Sequence, residues 1–319
     1  MSRICLGIDV SKKTLDVALI FQGKTLSKQF KNSLEGFKLL NAWLASLHIT
    51  EVHACLEATG SYSEQVALFL HSIGHNVSIV NPLRIKGYAQ SNLQRNKTDR
   101  LDARLIASFC QTQNPAQWNP PSAEIRHLQA LMRRIETLEE MLQAEENRLA
   151  NAAKEVCPSI ERIISLLKDE IQELEQQIKE HIDRNPNLKE QSRLLQTIPG
   201  IGERTANLLL SEIEFDRFDS ARQIAAQAGV TPRKRQSGTS LKQTALSKLG
   251  NARLRKALYF PAIVARQYNE IIKEFANRLK KRGKTPMQIV CAAMRKLLHI
   301  AFGVLKHKRP FDSSLVFTT

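Results

Sequence analysis

Cysteine is scarce in this chain, with five residues among 319, and none of them belongs to a C-x-x-C pair. Their wide separation and odd number disfavour both a disulfide framework and a cysteine zinc site. We therefore expect reduced, mostly buried thiols of the kind found in cytoplasmic proteins. The five are Cys5, Cys55, Cys110, Cys157 and Cys291.

Long apolar runs are also lacking. No segment reaches the about 20 uninterrupted apolar residues of a membrane span, and the apolar stretch 287–305 is broken by Arg295 and Lys296. The N-terminus does not show the charged, apolar and small-residue order of a signal peptide. These absences predict no membrane partner, no export and a cytoplasmic location, at the nucleoid when the protein is bound to DNA.

Acidic residues are fewer than basic ones. The chain has 31 Asp and Glu and 47 Lys and Arg, which gives a net charge of +16. The basic residues concentrate in particular stretches, which favours a polyanionic partner over a merely solvated basic surface. A hydrophobic fraction of 42% with 24% charged residues is typical of a folded protein. The length suffices for about two domains.

The first third of the chain alternates strand and helix signals. Three β-branched runs joined by tight turns predict an antiparallel meander, and the alternation of helix and strand that follows predicts an α/β layer. Residues 1–113 are therefore predicted to form one mixed-sheet domain. The predicted strands are 3–10, 14–21, 24–30, 51–57 and 76–80, and the predicted helices are 34–47, 61–73 and 99–112.

A proline-rich stretch at 114–121 predicts a boundary. Beyond it, two Leu/Ile seams of heptad spacing flank a Cys157-Pro158 break, which predicts a coiled-coil helical hairpin over 122–184. Such a hairpin can pair with another copy, so a homo-oligomer, dimer or tetramer, is expected. Residues 185–310 are predicted to form a mainly helical domain in which the polar stretch 230–244 is a loop.

Four acids occupy positions from which they can converge. Asp9 ends the first strand in G-I-D-V-S, Glu57 ends a later strand in C-L-E-A-T-G, and Asp99 and Asp102 are spaced i, i+3 at a helix start. Divalent cations, Mg²⁺ or Mn²⁺, would relieve their mutual repulsion and could activate the attack on a phosphodiester. Each acid also has a structural interpretation, such as a turn residue for Asp9 and an N-cap for Asp99.

Taken together, five motifs resemble those of the DEDD-type insertion-sequence transposases, also described as bridge-RNA-guided recombinases. They are G-I-D-V-S-K, E-A-T-G-S-Y, K-T-D-R-L-D-A, P-G-I-G and A-G-V-T-P-R-K-R-Q-S-G-T-S. The resemblance covers nearly the whole chain. It implies a RuvC-like, ribonuclease-H-like domain, a coiled coil and a C-terminal transposase domain.

The same resemblance implies site residues and partners. The metal ligands would be Asp9, Glu57, Asp99 and Asp102, and the catalytic serine would be Ser237. A structured guide RNA would pair with both donor and target DNA.

Outside the resemblance, Ser237 is an ordinary loop serine, and Ser240 and Ser247 are close enough to compete with it. A serine activated by a base or metal can attack a phosphate and keep the bond as a phosphoserine. The metal site that activates it could come from the same or another subunit.

Basic side chains near the acids and the serine are candidates for binding phosphate, although each could equally belong to a solvated surface. Gly200 and Gly202 of P-G-I-G resemble a helix-hairpin-helix turn, and a plain structural turn fits them as well. The basic candidates are Arg95, Lys97, Arg100, Arg104, Arg233, Lys234, Arg235, Lys242, Lys248, Arg253, Arg255 and Lys256.

Three other functions stay open at this point. A RuvC-like Holliday-junction resolvase could use the same acids with metal-activated water and would leave no serine adduct. G-I-D-V-S also begins sugar kinases and actin-like ATPases, but the second D-x-G-type loop is not evident here. A non-catalytic nucleic-acid-binding protein would explain the charge and not the acids.

Overall fold

The structure is a computed structural model that describes residues 3–58, 60–91, 99–237, 241–247 and 249–314. At 61, 99–100, 234–237 and 241–245 it describes the backbone. The chain divides into two compact units, Met1–Pro120 and Pro121–Thr319. Their boundary lies within the proline-rich stretch.

The first unit is built on a five-stranded mixed sheet in the order β3-β2-β1-β4-β5. Strands β1, β2 and β3 are antiparallel neighbours, whereas β4 runs parallel to both β1 and β5. The predicted meander and mixed α/β sheet are confirmed. The elements are β1 (Cys5–Val10), β2 (Thr14–Phe21), β3 (Lys24–Lys31), α1 (Leu34–Ser46), β4 (His53–Glu57), α2 (Ser61–Ser72), β5 (Asn76–Val80), α3 (Pro82–Ser91) and α4 (Asp99–Gln113).

Helices cover both faces of this sheet. Side chains of α1 and α2, such as Phe37 and Val66, pack with Leu6 and Ile8 of β1 on one face. On the other face, α4 packs over the centre of the sheet. Because β1 is buried from both sides, its sequence is almost continuously apolar, whereas the edge strand β3 is polar.

Helix α3 was not predicted, because its sequence has a weak apolar periodicity and Ile85 is its only buried residue among those described. Its start is nonetheless encoded locally. The Asn81 side chain accepts a hydrogen bond from the Leu83 backbone N–H at 2.9 Å, and Pro82 occupies the first helical position.

The second unit starts with the predicted helical hairpin, α5 and α6. The seam residues Leu128 and Ile135 of α5 and Ile178 of α6 belong to the same buried core as the helices that follow. The division of this unit near residue 185 stays a prediction. The elements are α5 (Ala123–Leu149), α6 (Cys157–Arg184), α7 (Pro186–Gln196), α8 (Glu203–Glu212), a 3₁₀ turn (Phe215–Arg217), α9 (Ala221–Gln227), β6 (Pro232–Ser237), β7 (Leu241–Leu246), α10 (Ala252–Tyr268), α11 (Glu270–Lys281) and α12 (Pro286–His307).

The loop predicted over 230–244 is wrong. Strands β6 and β7 pair antiparallel from Pro232 opposite Leu246 to Ser237 opposite Leu241. The hairpin was not predicted because many of its residues are charged or polar and have a low strand propensity. The signal that could have revealed it is the short Gly-Thr-Ser segment between two runs of equal length.

Helix α12 is long and apolar enough to cross a membrane by length and composition alone. However, 67% of its most apolar window is buried. Its side chains, such as Leu297, Ala301 and Leu305, belong to the core of the second unit. The helix therefore has the environment of a core helix.

Candidate active site

The close approach of α4 to the sheet is set by Gly7 in the central strand. A Cβ on Gly7 would lie 2.2 Å from the Ala103 carbonyl oxygen and 2.3 Å from the Ala107 backbone nitrogen. No side chain fits there, so glycine allows the helix backbone to lie directly on β1. Gly7 thus identifies the face of β1 that α4 covers.

Asp9 and Glu57 lie side by side on that same face. Side chains two residues apart on a strand share a face, so Asp9 follows Gly7, and Glu57 follows Cys55, which packs with residues of α4. Strands β1 and β4 are parallel, with Ile8 opposite Leu56. One residue further, Asp9 and Glu57 occupy neighbouring strands about 4.8 Å apart. Both are half-buried.

The start of α4 reaches the level of these two acids. The helix runs antiparallel to β1, because Cys110 packs with Cys5 while Ala103 and Ala107 lie against Gly7. From Gly7 to Asp9 the strand rises about 7 Å, which corresponds to roughly four to five helical residues. The first turn of α4 lies at that level. It begins at Asp99 and includes the half-buried Asp102.

A further carboxylate on this face of the sheet was not predicted from the sequence. Asp16 of β2 is the cross-strand partner of Asp9 and therefore shares its face. Gln29 Nε2 of β3 donates to the two Asp16 carboxylate oxygens at 3.2 and 3.0 Å. The alternation of polar and apolar residues in β2 indicates that Asp16 lies on the more polar face of this strand. Only the pairing of β1 with β2 shows that Asp16 lies opposite Asp9.

The donor chemistry of this edge fits a hard divalent cation, which prefers carboxylate oxygens. Among the side chains that the structure describes, which do not include that of Asp99, no three His, Cys, Asp or Glu groups form a metal-binding cluster. The structure brings Asp9, Glu57 and Asp102 to one edge of the sheet. Their joint coordination of a metal stays a prediction.

Two buried thiols, Cys5 of β1 and Cys110 of α4, are chemically quiet. A hydrogen bond with Cys110, followed by burial, raises the pKa of Cys5. For Cys110, the hydrogen bond with Cys5 lowers the pKa, but the hydrogen bond with Cys55 and burial outweigh it and raise the pKa to about 12. Protonated thiols are poor nucleophiles and poor ligands. All five cysteines are free.

Ser237 is the last residue of β6, and it closes the hairpin opposite Leu241. Its backbone therefore lies at the tip of a two-stranded hairpin. Arg233, in the same strand, is exposed. Ser240 lies outside the described residues.

Several predicted phosphate contacts have partners within the protein. Arg253 pairs with Glu136 at 2.7 Å and with Glu212 at 3.6 Å. Arg255 donates to the carbonyl oxygens of Ala228 and Gly250, both at 3.1 Å. These contacts indicate that Arg253 and Arg255 contribute to the packing of their unit.

Two further basic candidates also have partners, at the surface. Lys256 pairs with Glu140 at 3.3 Å and is exposed. Arg104 Nε donates to Ser27 Oγ at 3.1 Å. Of the other basic candidates, Arg95, Lys97 and Lys248 lie outside the described residues, and the structure gives the backbone of Arg100, Lys234, Arg235 and Lys242.

Gly200 has a structural role in the P-G-I-G turn. It has a φ of +104°, and a Cβ would lie 2.7 Å from the Ala265 Cβ of α10. Gly202 is exposed and occupies the N-cap of α8. The turn thus joins α7 to α8 and packs on α10, while binding of phosphate at Gly202 stays a prediction.

A strongly basic exposed segment was missed. The end of α11 and the turn after it carry Arg278, Lys280, Lys281, Arg282 and Lys284, all exposed. Cations at a helix C-terminus stabilise the helix dipole, which is the simplest reason for some of them. There are more basic residues here than stabilisation of the helix dipole requires. The sequence shows them as a run of positive charge, which is the signal that could have identified this segment.

Two protein-family models match parts of this chain. Residues 6–158 match a DEDD-type family model described as transposase. Residues 192–277 match the transposase IS116/IS110/IS902 family.

Similar proteins align with all or most of this chain. The chain is 37% identical over 321 residues, 99% of each chain, to the pilin gene-inverting protein of Moraxella bovis. It shares the same 37% identity over 321 residues with the pilin gene-inverting protein of Moraxella lacunata. It is 26% identical to the transposase for insertion sequence element IS1328 of Yersinia enterocolitica, over 75% of this chain and 79% of that one.

These matches define a class of enzyme, the DNA transposases and recombinases, and a divalent-metal dependence follows from the DEDD type of the matched domain. Within that class, the chain belongs to the IS110 family of insertion-sequence transposases. The resemblance drawn from its motifs is confirmed. The non-catalytic interpretation is wrong.

Proposed function

We propose that this enzyme cuts DNA and rejoins it through a phosphoserine at Ser237, assisted by Mg²⁺ or Mn²⁺ held by Asp9, Glu57, Asp99 and Asp102. The observation that carries the proposal is the register of β1 and β4, which sets Asp9 beside Glu57 on the face where α4 begins. A RuvC-like fold for the first unit is part of the proposal. Its mixed sheet with α4 over the centre supports it.

The acids can hold cations because they are crowded and half-buried. Asp9 of β1 lies opposite Asp16 of β2 and beside Glu57 of β4, so the three carboxylates form a row in which negative charges repel one another. Divalent ions bound there would supply charge neutralisation and a lowered pKa for an attacking hydroxyl. The Gln29 amide donates to both Asp16 carboxylate oxygens and so holds that side chain in place in the row.

The serine step balances without any further reagent. The Ser237 oxygen bonds to the phosphorus of a DNA phosphodiester while its proton passes to solvent water. The bond from phosphorus to one deoxyribose oxygen breaks, and that oxygen takes up a proton. On rejoining, a deoxyribose hydroxyl of the new partner strand attacks the phosphoserine and releases Ser237, so the bond energy is conserved.

An adduct assay tests this proposal. The purified enzyme is incubated with Mg²⁺ and labelled DNA that contains the sequences flanking its own coding region, and protein-bound label is measured after denaturation. We expect an adduct for the wild type and for the matched control Ser240→Ala, and none for Ser237→Ala or Asp9→Asn. An adduct on Ser237→Ala would refute the serine assignment.

The same assay decides the resolvase alternative. Cleavage of four-way junctions with no adduct in any variant would favour metal-activated water. Undiminished cleavage by Asp9→Asn in Mg²⁺ would refute the metal half of the proposal.

We also propose that a structured guide RNA pairs with both donor and target DNA. The net charge of +16 and the basic hairpin support a large polyanionic partner. Sequencing the RNA that copurifies with the enzyme tests this. One enriched species, encoded beside the gene, is the expected result, and a random RNA population would refute guidance.

Inversion of a DNA segment is a second candidate outcome. It is favoured by full-length similarity to two proteins named as pilin gene-inverting. A plasmid that carries two sites in opposite orientation distinguishes the outcomes, because inversion changes the order of flanking primers within one molecule. Transposition instead moves the element to a second plasmid.

A further inference from the structure

A group of basic side chains lies where α12 packs against both α9 and α11. Arg295, Lys296 and His299 lie within about one turn of α12, and all three are half-buried. Arg278 of α11 lies near Lys296, and Arg222 of α9 lies near His299. Both of these arginines are exposed. We call Arg222, Arg278, Arg295 and Lys296 the α12 cation cluster.

The cluster has no counter-charge within the part of the chain that the structure describes. None of its four cations forms an ion pair there, although Glu274 lies one helical turn before Arg278. Burial, followed by Arg278, lowers the pKa of Lys296, so the charge that acts on this lysine is also positive. Arg253 of the same unit, by contrast, pairs with Glu136 at 2.7 Å. The cluster thus differs from the basic residues that help to hold this unit together.

His299 shows the same imbalance of charge. Burial, followed by Arg295, Lys296 and Arg222, lowers the pKa of His299 to about 4. The imidazole is therefore neutral at pH 7, and its Nε2 accepts a hydrogen bond from Arg295 Nε at 3.4 Å. This contact holds the Arg295 guanidinium in place and leaves its two terminal nitrogens available to a ligand.

The unpaired cations cost the folded chain free energy. Burial and mutual repulsion both oppose the charged state of like groups that are partly removed from water, and a bound anion would relieve both. Proteins keep such unfavourable arrangements where function requires them. The cluster is therefore a candidate anion site.

The positive surface continues from the cluster to the end of α11. Lys281, Arg282 and Lys284 follow Arg278 within about two turns and are exposed. One small anion cannot contact cations that are spread over α9, α12 and the end of α11. A polyanion fits this surface, because its regularly spaced phosphates can contact many cations at once.

The side chains around the cluster indicate which polyanion is bound. The two aromatic rings of α11 and α12 are those of Phe275, which is half-buried, and Phe302, which is buried. Neither is exposed for stacking on unpaired bases, so the cluster is suited to the backbone of a duplex. Enzymes of the family to which this chain belongs act on DNA.

We propose that the α12 cation cluster binds backbone phosphates of duplex DNA, on the same unit that carries Ser237. Binding through phosphates holds the duplex without reading its sequence. The inference deepens the proposed function and rests on it only in taking DNA as the substrate. It requires neither the phosphoserine nor the metal.

The salt dependence of binding tests the proposal in full-length Asp9→Asn enzyme, which avoids strand cleavage. The probes are a fluorescein-labelled 20-base-pair DNA duplex and the RNA duplex of the same sequence. We expect Arg295→Gln and Lys296→Met each to lower the slope of log affinity for DNA against log salt by about one. At about 0.1 M salt each should weaken DNA binding by roughly 5- to 10-fold.

Matched variants separate phosphate binding from loss of charge or loss of structure. Arg295→Lys keeps the charge and should keep the slope. Arg193→Gln removes one exposed positive charge of the same unit that is paired with Glu190 at 2.9 Å, and the slope should not change. Without DNA, Lys296→Met should keep or raise the melting temperature, because it removes a half-buried cation that has no partner among the described residues.

A lower slope on duplex DNA supports the inference, whether or not duplex RNA shows the same change. An unchanged slope in both Arg295→Gln and Lys296→Met would overturn it, as would a loss confined to duplex RNA. A fall in subunit number of these variants in sedimentation velocity would also overturn it, because a second copy of the chain would then cover the cluster. The adduct on Ser237 is a separate readout, so the two proposals fail separately.

Discussion

Substituting Gly7 with alanine tests whether the contact between β1 and α4 positions the acids. The new Cβ would lie 2.2 Å from the Ala103 carbonyl oxygen, whereas an ordinary contact needs at least about 3.4 Å. Helix α4 must therefore retreat by roughly 1 Å or more. Because Asp99 and Asp102 lie at the start of this helix, they would move away from Asp9.

Two consequences can be given magnitudes. Overpacking of this kind costs about 1–3 kcal/mol, which lowers the melting temperature of the unit by roughly 4–12 °C. A displacement of about 1 Å in a catalytic constellation can reduce the rate by about 100-fold. We expect both effects in Gly7→Ala.

The assay measures strand cleavage well below the melting transition, so that the variant is folded. Gly36→Ala is the matched control, because its Cβ would lie 1.9 Å from the Lys31 carbonyl oxygen, at the start of α1 and away from the acids. The control should lose stability and keep its cleavage rate. Normal cleavage by Gly7→Ala, or an equal loss in the control, would refute the reasoning.

Further predictions concern the second unit. Burial, assisted by the nearby Arg295, lowers the pKa of His299 from 6.5 to about 4. Between about pH 6.5 and 4 the unfolded chain binds a proton that the folded protein does not, so the free energy of unfolding should fall over that range and level off below it. Urea unfolding across pH should show a smaller fall in His299→Gln, and an identical fall would contradict this. Arg255→Ala should lower the melting temperature, because it leaves the Ala228 and Gly250 carbonyls without that donor, while the salt dependence of nucleic-acid binding stays unchanged. Arg233→Ala should leave the melting temperature unchanged and lower the slope of log affinity against log salt by about one. A lower melting temperature with an unchanged slope would contradict the role of Arg233 as a phosphate contact.

The first unit was largely predictable because its signals are local. The central strand β1 is continuously apolar, the edge strand β3 is polar and β2 alternates, so each strand's pattern reports its place in the sheet. Asp9 and Glu57 were placed correctly at strand ends. Their neighbouring positions depended on the β1–β4 register, which only the fold provides.

What the sequence could not predict depends on long-range partners. Asp16 belongs to the acidic row only because β2 pairs with β1 at that residue. Arg253 looked like a phosphate contact, but Glu136 lies 117 residues earlier in the chain and its proximity is a product of folding. The exposed ring of Phe260 likewise follows from which side of α10 the core covers.

The proposed catalysis requires divalent ions bound among Asp9, Glu57, Asp99 and Asp102. Anomalous scattering from Mn²⁺ in crystals of the enzyme with DNA tests this most directly, because it locates the metal independently of any assumed ligand. We expect a peak at the end of β1 and β4, against the first turn of α4, that is lost in Asp9→Asn. Crystals of the active enzyme in which Mn²⁺ is bound elsewhere, with no peak at the ends of β1 and β4, would contradict this proposal.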